Sequence, residues 1–130
     1  MAKAEGKTIP FCGVEQIDIQ VLETFPYEGP RQRITYTTHE FSAVCPFSGL
    51  PDIGTVIVEY VPKKSCVELK SLKYYYLSYR DVGIYQEDAT ARIYKDLWKL
   101  LDPWELVIRV TYQTRGGIDT TSVVSSKEQV

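Results

Sequence analysis

The chain is poor in the residues that build metal and disulfide sites. Its 130 residues include one histidine, His39, and three cysteines, Cys12, Cys45 and Cys66. Three is an odd number and no two are spaced as Cys-x-x-Cys, so neither a disulfide framework nor a paired cysteine metal site is indicated. A single histidine argues against a histidine-rich zinc centre; no metal is expected. No run approaches the ~20 apolar residues of a membrane span. The first residues, Met1–Lys7, hold no apolar core of a signal peptide. The reading is a cytoplasmic protein without a membrane partner. A block of basic residues is missing too. The formal net charge is -2, whereas duplex binding needs clustered cations to neutralise phosphates. Direct tRNA binding is therefore not expected, though a single nucleobase or nucleotide ligand stays open. Gly-x-Gly-x-x-Gly is absent as well, so a bound dinucleotide would not lie in a Rossmann site.

What is present fits one domain spanning 1–130, with 1–14 and 125–130 loose. Ten tyrosines stand out; their apolar bodies and polar tips suit half-buried surfaces and subunit contacts. Rough alternation over 17–23 suggests an edge strand. Residues 31–41, rich in Thr, Tyr and Ile, and 54–62, which stops at Pro62, read as strands. Leu69, Leu72, Tyr76 and Leu77 fall at helical spacing within 68–80, and Gly83 breaks that helix. Ala89, Ile93, Leu97 and Leu101 form one stripe of a second helix over 86–101, ended by Asp102-Pro103. Residues 105–114 and 118–124 are strands about the Arg115-Gly116-Gly117 turn. Two hairpins flanking a helix pair give an α+β domain, an antiparallel four-stranded sheet with two helices on one face, ββααββ. Its sheet edges stay open, so a homo-oligomer is expected.

Two segments carry chemistry. Cys45-Pro46-Phe47-Ser48-Gly49-Leu50-Pro51-Asp52 holds a thiol and a carboxylate on one loop shaped by Pro and Gly. Thiolate is the best side-chain nucleophile near neutral pH, provided positive charge or main-chain amides lower the thiol's pKa. Glu68-Leu69-Lys70-Ser71-Leu72-Lys73-Tyr74 sets two lysines three apart on one helix face, suited to an anionic ligand.

With Gln86-Glu87-Asp88 and Arg115-Gly116-Gly117, these motifs resemble the NADPH-dependent 7-cyano-7-deazaguanine reductases, the QueF family of queuosine biosynthesis, over roughly residues 35–120. The resemblance implies the tunnelling fold in its short, single-domain form. It implies an enzyme that reduces the nitrile of a small deazapurine to a primary amine, a step in tRNA modification, with two NADPH as cofactor. Cys45 would attack the nitrile carbon to form a thioimide, with Asp52 as proton donor and acceptor. Glu87 would anchor the purine-like ring, since one carboxylate can accept two parallel N–H bonds. Gln86, Glu68, Leu69 and Ser71 would complete the substrate site. Lys70, Lys73, Arg115 and Gly116 would hold the cofactor, in a pocket between subunits. The chain departs from the family at Gln86, where members often carry histidine. Glutamine hydrogen-bonds but does not titrate, so proton transfer falls to Asp52 or water.

Each residue also has a plainer role. A lone cysteine is most often a small buried hydrophobe. Asp52 after Pro51 caps a turn, Lys70 and Lys73 form a solvated helix face, and Glu87 and Asp88 complement a helix dipole. Tyr74, Tyr75 and Tyr76 pack, and His39 sits in a strand as a structural residue. Two other functions stay open: an amidine-forming relative acting on deazaguanine within tRNA, and a non-catalytic purine- or pterin-binding oligomer.

Overall fold

Two long hairpins frame the molecule. Strand β2 (Ile34–Val44) turns at Cys45 and returns as β3 (Pro51–Val61); a second hairpin joins β5 (Glu105–Arg115) to β6 (Ile118–Ser125). In the computed structural model, which describes residues 2–128, they form one antiparallel sheet of order β2-β3-β5-β6. Between the hairpins come the short strand β4 (Ser65–Val67) and helices α1 (Leu69–Leu77) and α2 (Gln86–Leu101). The helices lie on one face of the sheet, with α1 on β2 and α2 on β5 and β6.

The expected elements recur with edges moved by up to three residues. The exception is 17–23. Its apolar residues are used to clip a turn onto the helix layer: Ile17 and Leu22 are buried, Asp18 Oδ1 accepts from the Val21 amide at 3.2 Å, and the Asp18 amide donates to Ser78 Oγ at 2.9 Å. The strand begins later, as β1 (Thr24–Pro26), and pairs with β4. The 125–130 segment is held at its start, where Ser126 exchanges two hydrogen bonds with the Leu106 backbone. Residues 129 and 130 lie outside the described residues.

Helix α2 folds by its stripe. Ala89, Ile93 and Leu97 are fully buried against Val56, Val58, Ile108 and Val110 of the sheet; each large aliphatic contributes roughly 1.5–3 kcal/mol by leaving water. Asp102, at φ 43, turns the chain out of the helix before Pro103. One polar network crosses this core. Asp96 Oδ2 accepts from Tyr75 Oη at 2.6 Å and from Arg92 Nε at 2.8 Å, and Tyr75 and Tyr79 hydroxyls meet at 2.7 Å. Burial first, then the neighbouring hydroxyl and carboxylate, push the Tyr75 phenol far up, so it stays a donor. Asp96→Ala leaves the buried Tyr75–Tyr79 hydroxyl pair one acceptor short. It should cost about 3 kcal/mol, at the low end for a broken buried pair because Arg92 reaches water. A urea titration should show a lower midpoint with an unchanged slope.

Two β-bulges decide which side chains face the helices. Between Thr38 and Phe41, β2 advances three residues while β3 advances two, from Val56 to Gly54. The extra residue switches the inward phase of β2 from Ile34 and Tyr36 to Phe41 and Ala43, and Cys45 continues that phase. Between Tyr112 and Arg115, β5 advances three against two in β6. Without that bulge Arg115 would point away from the face lined by Leu106, Ile108, Val110 and Tyr112.

Candidate active site

Asp52 is the second residue of β3, not part of the loop as expected, because Pro51 and Asp52 pair with Val44 and Ala43. The loop is thereby a tight turn, Cys45–Leu50. It closes through the Cys45 amide on the Leu50 carbonyl and the Gly49 amide on the Cys45 carbonyl, each 2.9 Å.

Asp52 is buried, at 5% exposure, and its Oδ1 accepts from Arg115 Nη1. A carboxylate withdrawn from water needs such a partner. The guanidinium also faces Cys45. The Cys45 thiol is held below its ordinary value, chiefly by the Ser48 and Phe47 main-chain amides, then by the Ser48 hydroxyl and the charge of Arg115. Each of these favours thiolate.

Tyr112 joins this cluster to α2. It lies beside Gly54 of β3, and its hydroxyl donates to the Gln86 carbonyl at 3.3 Å. Burial raises its phenol above the ordinary value, with the nearby charges of Asp52 and Glu87 adding to it. Glu87 and Asp88 occupy the first turn of α2, Glu87 exposed and Gln86 half-buried. Phe47 at the loop tip meets Tyr85, which precedes α2, edge to face at 5.8 Å. Cys45, Asp52, Arg115, Gln86 and Glu87 thus gather at one end of the sheet. Their side chains bring together a thiol whose ionised form is favoured, a buried carboxylate, a guanidinium paired to it and a second, exposed carboxylate.

The 68–74 motif lies elsewhere. Glu68 caps α1, accepting from the Lys70 amide at 2.9 Å and the Ser71 amide at 2.7 Å; these bonds hold its carboxyl below the ordinary value. Ser71 Oγ donates to the Glu68 carbonyl at 2.7 Å and accepts from the Glu23 amide at 3.0 Å. Both side chains therefore shape the backbone. Leu69, Lys70 and Lys73 are exposed. Among the described residues neither lysine forms an ion pair. Leu69 and Lys73 line a groove of about 220 Å³ with Tyr36, Thr38 and Tyr76, and Cys45, Asp52 and Glu87 are not among its walls. Gly116, at φ 58, turns the β5–β6 hairpin beside Arg115. His39 shares a hydrogen bond with Thr55 at 3.0 Å in the β2 bulge. Tyr112 and Tyr85 are site neighbours that the sequence does not single out. Both sit where strand and helix-cap residues are ordinary, so no local signal marks them.

A family model described as "QueF-like protein" matches residues 51–130. Among named relatives, the NADPH-dependent 7-cyano-7-deazaguanine reductases of Thermotoga petrophila and Thermotoga maritima are each 54% identical over 129 residues, covering 98% of this chain and 94% of theirs. That of Caldicellulosiruptor bescii is 47% identical over 123 residues, covering 93% and 94%. Of solved structures, the archaeosine synthase QueF-Like in its apo form matches with a TM-score of 0.67 at 22% identity, over 79% of this chain and 100% of that one. At that identity the likeness is one of fold.

Proposed function

The chain belongs to the QueF-like family, with the NADPH-dependent 7-cyano-7-deazaguanine reductases as its relatives, and we propose that it reduces 7-cyano-7-deazaguanine to 7-aminomethyl-7-deazaguanine. The observation that carries this reading is the joining of Cys45, Asp52 and Arg115 in one buried-edged cluster that favours thiolate.

The sulfur of Cys45 adds to the nitrile carbon. One C–N π pair moves to nitrogen, and the S–C bond of a thioimide forms. The proton that leaves the thiol is the one nitrogen then needs, and Asp52 carries it from sulfur to nitrogen. Glu87 accepts from the ring N–H and exocyclic amine, with Gln86 beside it. Reduction of a nitrile to an amine takes two hydrides and two protons, and bound NADPH supplies hydride, which no side chain can.

Lys70 and Lys73 at the start of α1, without an ion pair among the described residues, fit phosphate groups, and Glu68 and Ser71 hold the turn that presents them. Arg115 and Gly116 would meet the cofactor from the hairpin side. Because the groove lined by Lys73 has none of Cys45, Asp52 and Glu87 in its walls, a whole site would draw on α1 of a second copy. The open edges β2 and β6 suit such a homo-oligomer. A reduced thiol at the site suits the cytoplasm.

The test is nicotinamide absorbance in a mixture of protein, NADPH and 7-cyano-7-deazaguanine. Loss of about two NADPH per nitrile, with the amine formed, is expected from this stoichiometry. Amidine formation from ammonia without NADPH loss would assign the chain to the other chemistry instead.

A further inference from the structure

Residues 9–12 have no part in the chemistry above, yet they run along the Cys45 loop. The Ile9 amide donates to the Ser48 carbonyl at 2.8 Å. One residue on, Gly49 has φ +73, and a Cβ there would lie 2.1 Å from the Ile9 carbonyl oxygen. Glycine is thus required twice, by conformation and by the closeness of the passing backbone. Further along, the Cys12 amide donates to the Asp81 carbonyl at 2.6 Å, and the Gly83 amide returns a bond to the Cys12 carbonyl at 2.8 Å. The Phe11 ring lies on Gly83, where a Cβ would come within 2.3 Å of it.

The 82–84 backbone is hooked in turn to Val44, which immediately precedes the nucleophile. The Val44 amide donates to Val82 at 3.0 Å, and the Ile84 amide to Val44 at 3.2 Å. A closed circuit results: Val44 to Val82–Gly83, to Cys12 and Phe11, to Ile9, to Ser48, and back to Cys45. Ile9 and Phe11 are half-exposed, at 50% and 40%, so ordinary core burial does not account for the path they take. What the circuit fixes is Ser48 and Gly49. Ser48 is also the residue whose amide and hydroxyl bear most on the Cys45 sulfur.

We infer that Ile9–Cys12 is a positioning strap for the nucleophile, clamping Ser48 and Gly49 so that the Phe47 and Ser48 amides stay aimed at the Cys45 sulfur. The inference rests on Cys45 being the nucleophile of the proposed reaction. Ile9 and Phe11 act through the loop and touch no reacting atom. The charged groups facing the thiol are Arg115 of β5 and, paired with it, Asp52 of β3; the strap changes neither.

The test uses the whole chain without ligands. Ile9→Pro removes the amide that holds Ser48, and Phe11→Ala removes the ring that seats the strap on Gly83. The rate of alkylation at Cys45 by iodoacetamide is followed from pH 5 to 10 by mass of the Cys45 peptide. In the variants the midpoint should move up in pH, with a rate about three- to fourfold lower on the acidic side for each unit of movement, the loss of thiolate being partly offset by its greater nucleophilicity. The alkaline plateau should not fall, because access to the sulfur is the same and a thiolate of higher pKa is the stronger nucleophile. A wild-type pH profile in a variant that still melts cooperatively overturns the strap, as does a changed plateau with an unmoved midpoint. If Ile9→Pro does not fold, Phe11→Ala decides by the same criterion. Alkylation needs neither nitrile nor NADPH. A wild-type protein that fails to oxidise NADPH therefore counts against the reductase reading and leaves the strap to be judged by its own profile.

Discussion

Cys45→Ala is expected to lower nitrile-dependent NADPH oxidation by about 10⁴-fold or more, below detection in a steady-state assay. The size follows from what is removed. A nitrile carbon is a modest electrophile, and without sulfur the reaction would need direct hydride attack on an unactivated triple bond. The rest of the cluster should survive the change. Cys45 is only half-buried, and the loop closes through its main-chain atoms, so alanine removes one sulfur from a partly open site. Substrate affinity, measured by calorimetry, should change little because Glu87 and Gln86 remain. The companion observation is a mass gain on wild-type Cys45 when the nitrile base is added without NADPH. Addition to a triple bond expels no leaving group, so the gain should equal the intact base. Alanine should show none. Retained oxidation in the variant would remove sulfur from the mechanism. Binding without any mass gain in wild type would favour a non-catalytic pocket.

The parts of this site that depend on local pattern could be read directly. The second helix was read with its observed ends, 86–101, because its apolar stripe and its Asp102-Pro103 stop are both local. The ββααββ order and single sheet followed from similar runs. The spacing of Cys45 and Asp52 pairs them, though Asp52 belongs to a strand because proline is tolerated as the first residue of one, here Pro51 of β3.

What could not be read arises from one-residue events and from distant contacts. Nothing in Thr37-Thr38-His39-Glu40 announces a bulge. Yet that bulge turns Phe41, Ala43 and Cys45 inward, and its counterpart before Arg115 brings the guanidinium to Asp52. A strand read without them would set Cys45 and Arg115 on the face away from the helices. The three-residue strands β1 and β4 are too short to show a period. The strap is invisible for another reason. Ile9 and Phe11 look like scattered apolar residues until the backbone of Gly49 and Gly83 is seen beneath them.

Asp52→Asn should slow both thioimide formation and NADPH oxidation by about 10²–10⁴-fold, the range for loss of a general acid or base. Asparagine keeps the shape and can still accept a hydrogen bond from Arg115, but it cannot carry a proton from sulfur to nitrogen. The effect on the thiol should be opposite in sign. Asp52 is an anion paired to the same guanidinium that faces Cys45. Neutralising it leaves the positive charge of Arg115 less compensated, which favours thiolate. Alkylation of Cys45 on the acidic side should therefore be unchanged or faster, while adduct formation with the nitrile falls. That divergence separates proton transfer from positioning. If both rates fell together, Asp52 would act by holding Arg115 and the loop in place. Arg115→Gln, which keeps Asp52 but removes the cation, should then reproduce the loss. If only the nitrile reaction falls, the proton passes through Asp52. Gln86, which cannot titrate, then leaves this carboxylate as the titrating side chain that serves nitrogen.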